Sequence, residues 1–134
     1  MVQLCHDAGA KPVHADRIVA SLFRHYNSDM EAIPDLPKIL RDYLATHTSI
    51  FEPECTALQQ AEDGTRKLLL KMPDGKEVET VLIQGPGRLT QCISTQVGCA
   101  VGCTFCLTAT AGLTRNLSAA EMAAQVIAGQ KIGD

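Results

Sequence analysis

Residues 98–106 read Gly98-Cys99-Ala100-Val101-Gly102-Cys103-Thr104-Phe105-Cys106, which places three cysteines at the spacing C-x3-C-x2-C. Three closely spaced thiolates can hold three corners of a cubane iron–sulfur cluster, whose irons normally take four protein ligands. Three ligands leave one iron with an open position, and an open metal position is where a substrate binds and reacts. The triplet therefore favours a catalytic cluster over simple electron storage.

Two other kinds of metal site fit the same triplet. A structural zinc site needs a fourth ligand, and all four histidines lie in the first 47 residues. Cys92 can serve as that ligand, although it lies seven residues before Cys99 in a predicted strand. A four-cysteine ferredoxin-type cluster likewise needs Cys92 or a more distant thiol. The ligand count favours the open-site cluster and leaves these two sites as alternatives.

Three further side chains are candidates for a role beside the cysteines. Phe105 either packs against an adenine-bearing ligand near the open iron or anchors the loop in the core. Cys92 shares its strand face with small polar residues, which suits either a redox-active thiol or an ordinary strand cysteine. Glu79 is a candidate base only if it faces a cleft, and otherwise belongs to a solvated strand face. On the residues alone, we favour the ordinary interpretations of Cys92 and Glu79.

The composition is that of a globular chain without an export signal. Its 134 residues are enough for one modest core or two small subdomains, and 46% of them are hydrophobic. No apolar run approaches the roughly 18 residues that would span a membrane. Six cysteines in such a chain, three of them within eight positions, indicate metal binding in a reducing cytoplasm rather than disulfides. Cys5 and Cys55 are isolated, and we interpret both as incidental.

Charge gives little support for nucleic-acid binding. The net charge is -3, and no segment carries a stripe of basic side chains that would grip phosphates. On charge alone, nucleic-acid binding is a minority prediction.

Two helices are predicted in residues 1–50, which we expect to form a helical N-terminal subdomain. The first runs from about residue 14 to residue 26, and its apolar positions are Ile18, Val19, Leu22, Phe23 and Tyr26. The second begins at about Pro37, and its apolar stripe consists of Ile39, Leu40, Tyr43 and Leu44.

A β-rich accessory segment is predicted over residues 51–87. Strand patterns at 56–61, 66–72 and 76–84 are separated by turn sequences around Gly64 and Gly75. Three successive strands joined by short turns predict an antiparallel meander.

Residues 88–134 are predicted to begin an α/β barrel that remains incomplete. A further strand covers residues 89–95, the cysteine loop follows, and Ser118 with Glu121 forms a capping box that opens a helix. A strand, a ligand-bearing loop and a helix make one β-loop-α unit, and such loops lie on the catalytic face of a barrel. Because one unit cannot close a barrel, we expect the chain to be a fragment.

Residues 92–117 resemble the start of the radical S-adenosylmethionine (SAM) domain in the RlmN/Cfr family of RNA methyltransferases. The resemblance extends upstream through Lys11-Pro12, residues 35–41 and residues 78–81, so that it covers nearly the whole chain. It implies an α+β accessory region, made of a small helical subdomain and an antiparallel β meander. The first β-loop-α unit of a partial, truncated radical SAM barrel would follow.

The resemblance also implies a set of cofactor-binding residues. Cys99, Cys103 and Cys106 would ligate a [4Fe–4S] cluster, whose fourth iron would be chelated by SAM. Phe105 would lie near the SAM adenine. The electron donor of the family is of the flavodoxin type.

Two further residues gain roles by resemblance. Glu79 matches the family's proton acceptor, and Cys92 matches its resolving cysteine, which forms a transient disulfide. In the family, a 5′-deoxyadenosyl radical takes hydrogen from a methyl group carried on a C-terminal cysteine, and the resulting carbon adds to adenine. These implied roles replace the ordinary interpretations of Glu79 and Cys92.

The implied reaction is methylation of adenine C2 in 23S ribosomal RNA and in tRNA. The related branch of the family, which methylates C8, is the nearest alternative, and Val97 favours the C2 branch. We expect a cytoplasmic, membrane-free enzyme that is a monomer at full length. The methyl-carrying cysteine and the family's Gly-Glu-Pro segment are not among residues 1–134, so we expect the chain alone to be inactive. A non-catalytic zinc or iron–sulfur module that binds RNA or protein is the alternative from another class.

Overall fold

The fold is taken from a computed structural model that describes residues 1–133. The chain divides into two compact units, Met1–Ile50 and a second unit that begins at Phe51. Among the described residues, none of the helices combines the length and the apolar character needed to cross a membrane.

The first unit consists of three helices around a small apolar core. These helices are α1 (Val2–Asp7), α2 (Val13–Arg24) and α3 (Lys38–His47). Ile18 of α2 and both Leu40 and Leu44 of α3 are fully buried. Helix α2 ends two residues earlier than predicted, because Tyr26 adopts a left-handed backbone conformation with φ of 49°.

Three residues predicted to lie in the apolar stripes of α2 and α3 are instead exposed. Val19, Phe23 and Ile39 have 41%, 45% and 61% of their surface accessible. On each helix one side of the apolar stripe is buried and the other side is exposed, because three short helices enclose a narrow interior. Membership of an apolar stripe therefore does not by itself mark a buried position in this unit.

The second unit contains the predicted antiparallel meander. Its strands are β1 (Glu54–Gln60), β2 (Arg66–Lys71), β3 (Glu77–Gly85) and β4 (Arg88–Cys92), and they lie side by side in sequence order. The turns before β2 and β3 form as predicted, with Gly64 and Gly75 at φ of 83° and 78°. The carboxylates of Asp63 and Asp74 each accept a backbone N–H two residues later, which closes these turns.

The strand predicted over residues 89–95 belongs to the meander and does not lead into the cysteine loop. It ends at Cys92 and pairs with β3, with Val81 opposite Cys92. Gly87 has a φ of 66°, so the Gly-Pro-Gly sequence at 85–87 forms a hairpin turn that folds β4 back onto β3. The prediction that this strand begins the β-loop-α unit is wrong, while the domain boundary at residue 88 stays a prediction.

Two shorter strands and two helices complete the second unit. Strand β5 (Gln96–Gly98) pairs antiparallel with β6 (Leu113–Asn116), α4 (Leu107–Thr110) lies between them, and α5 (Ala119–Gly133) follows. Helix α5 packs against the meander in one apolar cluster, to which α5 itself contributes Met122, Ala128 and Ile132. The other side chains of this cluster include Leu68, Leu70, Val78, Leu82, Leu89 and Leu117.

A buried amide joins α5 to the sheet. The Oε1 atom of Gln125 accepts hydrogen bonds from the Thr80 hydroxyl and the Ser94 backbone N–H, each at 2.9 Å. Its Nε2 atom donates to the Ser94 carbonyl, also at 2.9 Å. Gln125 and Thr80 are fully buried, and a Cβ atom at Gly129 would collide with the Gln91 side chain. Helix α5 therefore lies close to β3 and β4, and these contacts fix its position along the two strands.

The predicted capping box at the start of α5 is confirmed and includes an arginine. Glu121 accepts the Ser118 backbone N–H at 2.8 Å, and the Glu121 N–H donates to the Ser118 hydroxyl at 3.2 Å. Both carboxylate oxygens of Glu121 also accept from the Arg115 guanidinium, at 2.7 and 3.0 Å. The Arg115 hydrogen bonds, followed by that from Ser118, lower the pKa of Glu121 from 4.5 to about 2.

The lowered pKa of Glu121 predicts a loss of stability in acid. Above pH 4.5 the carboxylate is ionised in both the folded and the unfolded chain, and its full stabilisation is present. As the pH falls from about 4.5 to about 2, the unfolded chain takes up the proton first, so the free energy of unfolding decreases. Glu121→Gln should flatten this dependence and cost about 1 kcal/mol at neutral pH.

Urea denaturation followed by circular dichroism at a series of pH values measures this effect. Glu62→Gln, which changes an exposed carboxylate, is the matched control and should keep the wild-type slope. Arg115 also lowers the pKa of Asp74. The free energy of unfolding of Glu121→Gln should therefore still depend on pH, but with a smaller slope than in the wild type. Equal slopes for wild type and Glu121→Gln would contradict the assignment.

Candidate cluster-binding site

The three cysteines lie on one loop whose base is a pair of strands. The loop leaves β5 at Gly98 and returns into β6 at Leu113. The Cys99 backbone N–H donates to the Gly112 carbonyl at 3.1 Å across this base. A Cβ atom at Gly98, whose φ is 77°, would overlap the Gly112 carbonyl oxygen, so only glycine allows this close approach.

The thiols are half-buried, and the hydrogen bonds described for residues 1–133 that hold this segment lie within the loop. The Val101 backbone N–H donates to Cys99 Sγ at 3.4 Å, and the Cys106 N–H donates to the Cys103 carbonyl at 3.1 Å. In the described part of the chain, no three His, Cys, Asp or Glu side chains are grouped closely enough to hold a metal ion. The loop therefore carries the three thiols close in sequence without gathering their sulfur atoms in this conformation.

The donor set of the loop fits an iron–sulfur cluster. Residues 96–112 contain three cysteines and no acidic, basic or histidine side chain, so thiolate is the only strong ligand type. A backbone N–H directed at Cys99 Sγ is the kind of contact that tunes such clusters. Gly102, with a φ of 69° and open space around it, lets the backbone turn between Cys99 and Cys103. Cys99, Cys103 and Cys106 can thus hold a cluster that leaves one metal position open.

Apolar side chains project from the same loop. Phe105 is 91% exposed, and Val101 and Leu107 are 77% and 86% exposed. The alternative that Phe105 anchors the loop in the core is therefore wrong. An exposed aromatic ring beside a thiol is available to stack on a planar ligand.

Glu79 and Cys92 lie on the outer face of the meander, which α5 does not cover. Cys92 is exposed and lies opposite Val81, two residues beyond Glu79 on the same strand face. The Glu79 carboxylate forms an ion pair with the Lys67 ammonium at 3.0 Å, and about half of its side chain is exposed. The predicted alternation of β4 is confirmed, because Cys92 is exposed whereas Leu89 and Gln91 are half-buried.

A cleft of about 260 Å³ connects Glu79 with the base of the cysteine loop. Glu79 lines one side, and Gln96 and Gly98 of β5 line another, with Thr108 of α4 nearby. The Ser94 hydroxyl donates to the Glu79 carbonyl at 2.7 Å and lines the same cleft. The structure thus brings Glu79 and the loop base together, whereas Cys92 and the three metal-binding candidates do not line this cleft.

Sequence reasoning missed three residues that organise the site. Arg115 and Gln125 hold the segments on either side of the loop, and Lys67 pairs with Glu79. Lys67 faces Val81 in the β2–β3 register, so a correct strand alignment would have placed it near Glu79. Asp74, which pairs with Arg115, and Thr80, which pairs with Gln125, lie tens of residues away from their partners, and no local pattern signals these two contacts.

The chain is similar to known methyltransferases over most of its length. No protein-family model matches it. It is 44% identical over 125 residues to the dual-specificity RNA methyltransferase RlmN of Oleidesulfovibrio alaskensis, an alignment that covers 92% of this chain and 35% of that protein. The chain therefore spans about a third of the length of this curated relative.

A solved structure is also similar to this chain. The crystal structure of a radical SAM methyltransferase from Sphaerobacter thermophilus superposes with a TM-score of 0.83 at 41% identity. The superposition covers 98% of this chain and 39% of that protein. Over nearly all of its residues, the chain is therefore similar to RlmN in sequence and to a radical SAM methyltransferase in both sequence and fold.

Proposed function

We propose that the chain is the cluster-binding part of an RlmN-type radical SAM enzyme that methylates adenine C2 in 23S ribosomal RNA and in tRNA. The observation that carries the proposal is the C-x3-C-x2-C loop, which offers three thiols and no other strong ligand between two paired strands. The 44% identity to a protein named as a dual-specificity RNA methyltransferase supports the substrate class. Because the chain spans 35% of that relative, the whole reaction is proposed for the longer protein.

Cys99, Cys103 and Cys106 are proposed to ligate a [4Fe–4S] cluster, with one iron left for the amino and carboxylate groups of SAM. When bound, the cluster and SAM supply one-electron radical chemistry, which an unactivated adenine carbon requires. Phe105 provides an exposed ring that packs against the SAM adenine. Val101 and Leu107 add apolar surface that keeps water away from the same region.

Glu79 is proposed as the proton acceptor. The Lys67 ammonium forms an ion pair with the Glu79 carboxylate. The cleft between Glu79 on β3 and strand β5 connects this carboxylate with the base of the cysteine loop. The Lys67 ammonium, 3.0 Å away, orients the Glu79 carboxylate, which is proposed to take a proton from a substrate carbon.

Cys92 is proposed as the resolving thiol. Its exposed position on the last strand of the meander leaves the sulfur open to attack a second cysteine that the longer protein supplies. After the Cys92 thiol loses its proton, its sulfur forms the S–S bond while the bond between the second sulfur and the product carbon breaks. The electron pair of the broken bond passes to the carbon, which takes up a proton and becomes the methyl group. The product then leaves the protein, which retains a disulfide for later reduction.

The electron donor, the oligomeric state and the location are proposed from the resemblance of residues 92–117 to the RlmN/Cfr family. A flavodoxin-type protein donates electrons to the cluster, and the full-length enzyme acts as a cytoplasmic monomer on its RNA substrates. The net charge of -3 leaves most phosphate contacts to the rest of the longer protein.

Anaerobic reconstitution with iron and sulfide tests the cluster. The wild-type chain should develop the broad visible absorption of an iron–sulfur cluster, and Cys103→Ser should bind at least about fivefold less iron because one of three ligands is lost. Cys55→Ser, which changes a thiol on β1, is the matched control and should load like wild type. One equivalent of zinc and no visible absorption would contradict the proposal and favour the zinc module.

The roles of Cys92 and Glu79 are tested in the longer protein. Cys92→Ala should leave RNA covalently joined to the enzyme, and Glu79→Gln should slow product formation at least about a hundredfold, as expected for loss of a general base. Mass analysis of digested RNA locates the methyl group, which we expect on C2. Normal turnover by Cys92→Ala would refute the resolving role, and methyl on C8 would place the enzyme in the other branch.

A further inference from the structure

A single guanidinium joins three segments at the base of the cysteine loop. Arg115 lies on β6, and its Nε atom donates to Asp74 Oδ2 at 2.8 Å. Its two terminal nitrogens donate to both oxygens of Glu121 at 2.7 and 3.0 Å. Asp74 belongs to the turn before β3, and Glu121 belongs to the first turn of α5. Arg115 therefore links β6 to the meander and to α5 at once.

Arg115 lies close to both ends of the loop. It faces Val97 in the β5–β6 pair, and it follows Leu113, the residue where the loop returns, by two positions. The ribbon itself is short, with three paired positions, so its direction depends on what holds it from outside. The Leu117 N–H to Thr95 carbonyl bond, at 2.8 Å, closes the ribbon but does not tie it to the turn at Asp74.

Among the described residues, none outside the loop forms a comparable ion pair or hydrogen bond with residues 99–111. Within the described part of the chain, the hydrogen bonds of residues 99–111 join loop residues to one another or to Gly112. Residues 96–112 carry no charged side chain, so no ion pair orients the loop. The direction in which the cysteines project is therefore set at the base, where the forked guanidinium makes charge-assisted bonds to two carboxylates.

We propose that Arg115 is a positioning residue for the cluster site, which fixes the direction in which the cysteine loop leaves the β5–β6 ribbon. The inference rests on the proposed function, because it concerns the same three thiols. A lysine at this position keeps the charge but cannot reach Asp74 and both oxygens of Glu121 in the fork geometry. Arg115→Lys should therefore release the loop while the rest of the unit stays folded.

A matched variant separates positioning from general stability. Arg66 holds the opposite end of α5, donating to the Ile132 and Gly133 carbonyls at 2.6 and 2.8 Å. Arg66→Lys weakens the same helix through a similar loss of guanidinium bonds, far along α5 from the cysteine loop. Asp74→Asn removes one carboxylate partner of Arg115 and leaves the capping box in place.

Two measurements on these variants test the proposal. Amide hydrogen exchange of the metal-free chain reports the Cys99 N–H, which closes the loop base, and we expect it to be at least about threefold faster in Arg115→Lys. Iron and sulfide content after anaerobic reconstitution should fall by about half or more in Arg115→Lys, with a smaller loss in Asp74→Asn. Arg66→Lys should match wild type in both measurements. This should hold even if the two variants lose the same overall stability, as judged by equal midpoints of urea denaturation.

Equal effects of Arg115→Lys and Arg66→Lys on exchange and on cluster content would overturn the inference. Wild-type exchange and wild-type cluster content in Arg115→Lys would overturn it as well. A wild-type chain that takes up no cluster overturns the proposed function instead, and the exchange rates of the metal-free chains then decide the loop anchoring on their own.

Discussion

The side-chain amide of Gln125 holds α5, β3 and the segment after β4 together in the interior of the second unit. It satisfies the hydroxyl of Thr80 and both backbone groups of Ser94 while being fully buried itself. Each of these groups would cost about 1–3 kcal/mol if buried without a partner, so the amide is a strong constraint. Because Ser94 precedes β5 by two residues, the same amide determines where the cysteine loop begins.

The cysteine loop thus connects two segments that side-chain hydrogen bonds hold in place. Gln125 fixes the chain before β5, and Arg115 fixes β6, where the loop returns. Between them, residues 99–112 are uncharged and rich in thiols, with glycine where the backbone must turn. Rigid elements that present an adaptable loop are the common arrangement for binding and catalytic residues. On the outer face of the meander, Glu79 and Cys92 add a carboxylate and a thiol to the same unit.

The sequence contained the local features of this arrangement and few of the distant ones. Cysteine spacing, the Asp-Gly turns and the Ser118–Glu121 box are patterns of neighbouring residues, and each predicted its structure correctly or supplied the site hypothesis. The pairing of β4 with β3 differs from the prediction, because residues 85–87 form a hairpin turn and do not separate the accessory segment from the next strand. The contact of Arg115 with Asp74 spans 41 residues, and only the folded chain reveals it. The exposure of Phe23 likewise depends on how little of the apolar stripe three short helices can cover.

The central claim is that the three cysteines hold a cluster with one open iron. The most direct measurement is the electron paramagnetic resonance spectrum of the reduced, reconstituted chain with and without SAM carrying a nitrogen-15 amino group. We expect a changed spectrum and a hyperfine coupling to the labelled nitrogen, because the open iron of the proposed cluster binds the amino acid part of SAM. A spectrum that stays the same at saturating SAM, with no coupling to the label, would contradict it.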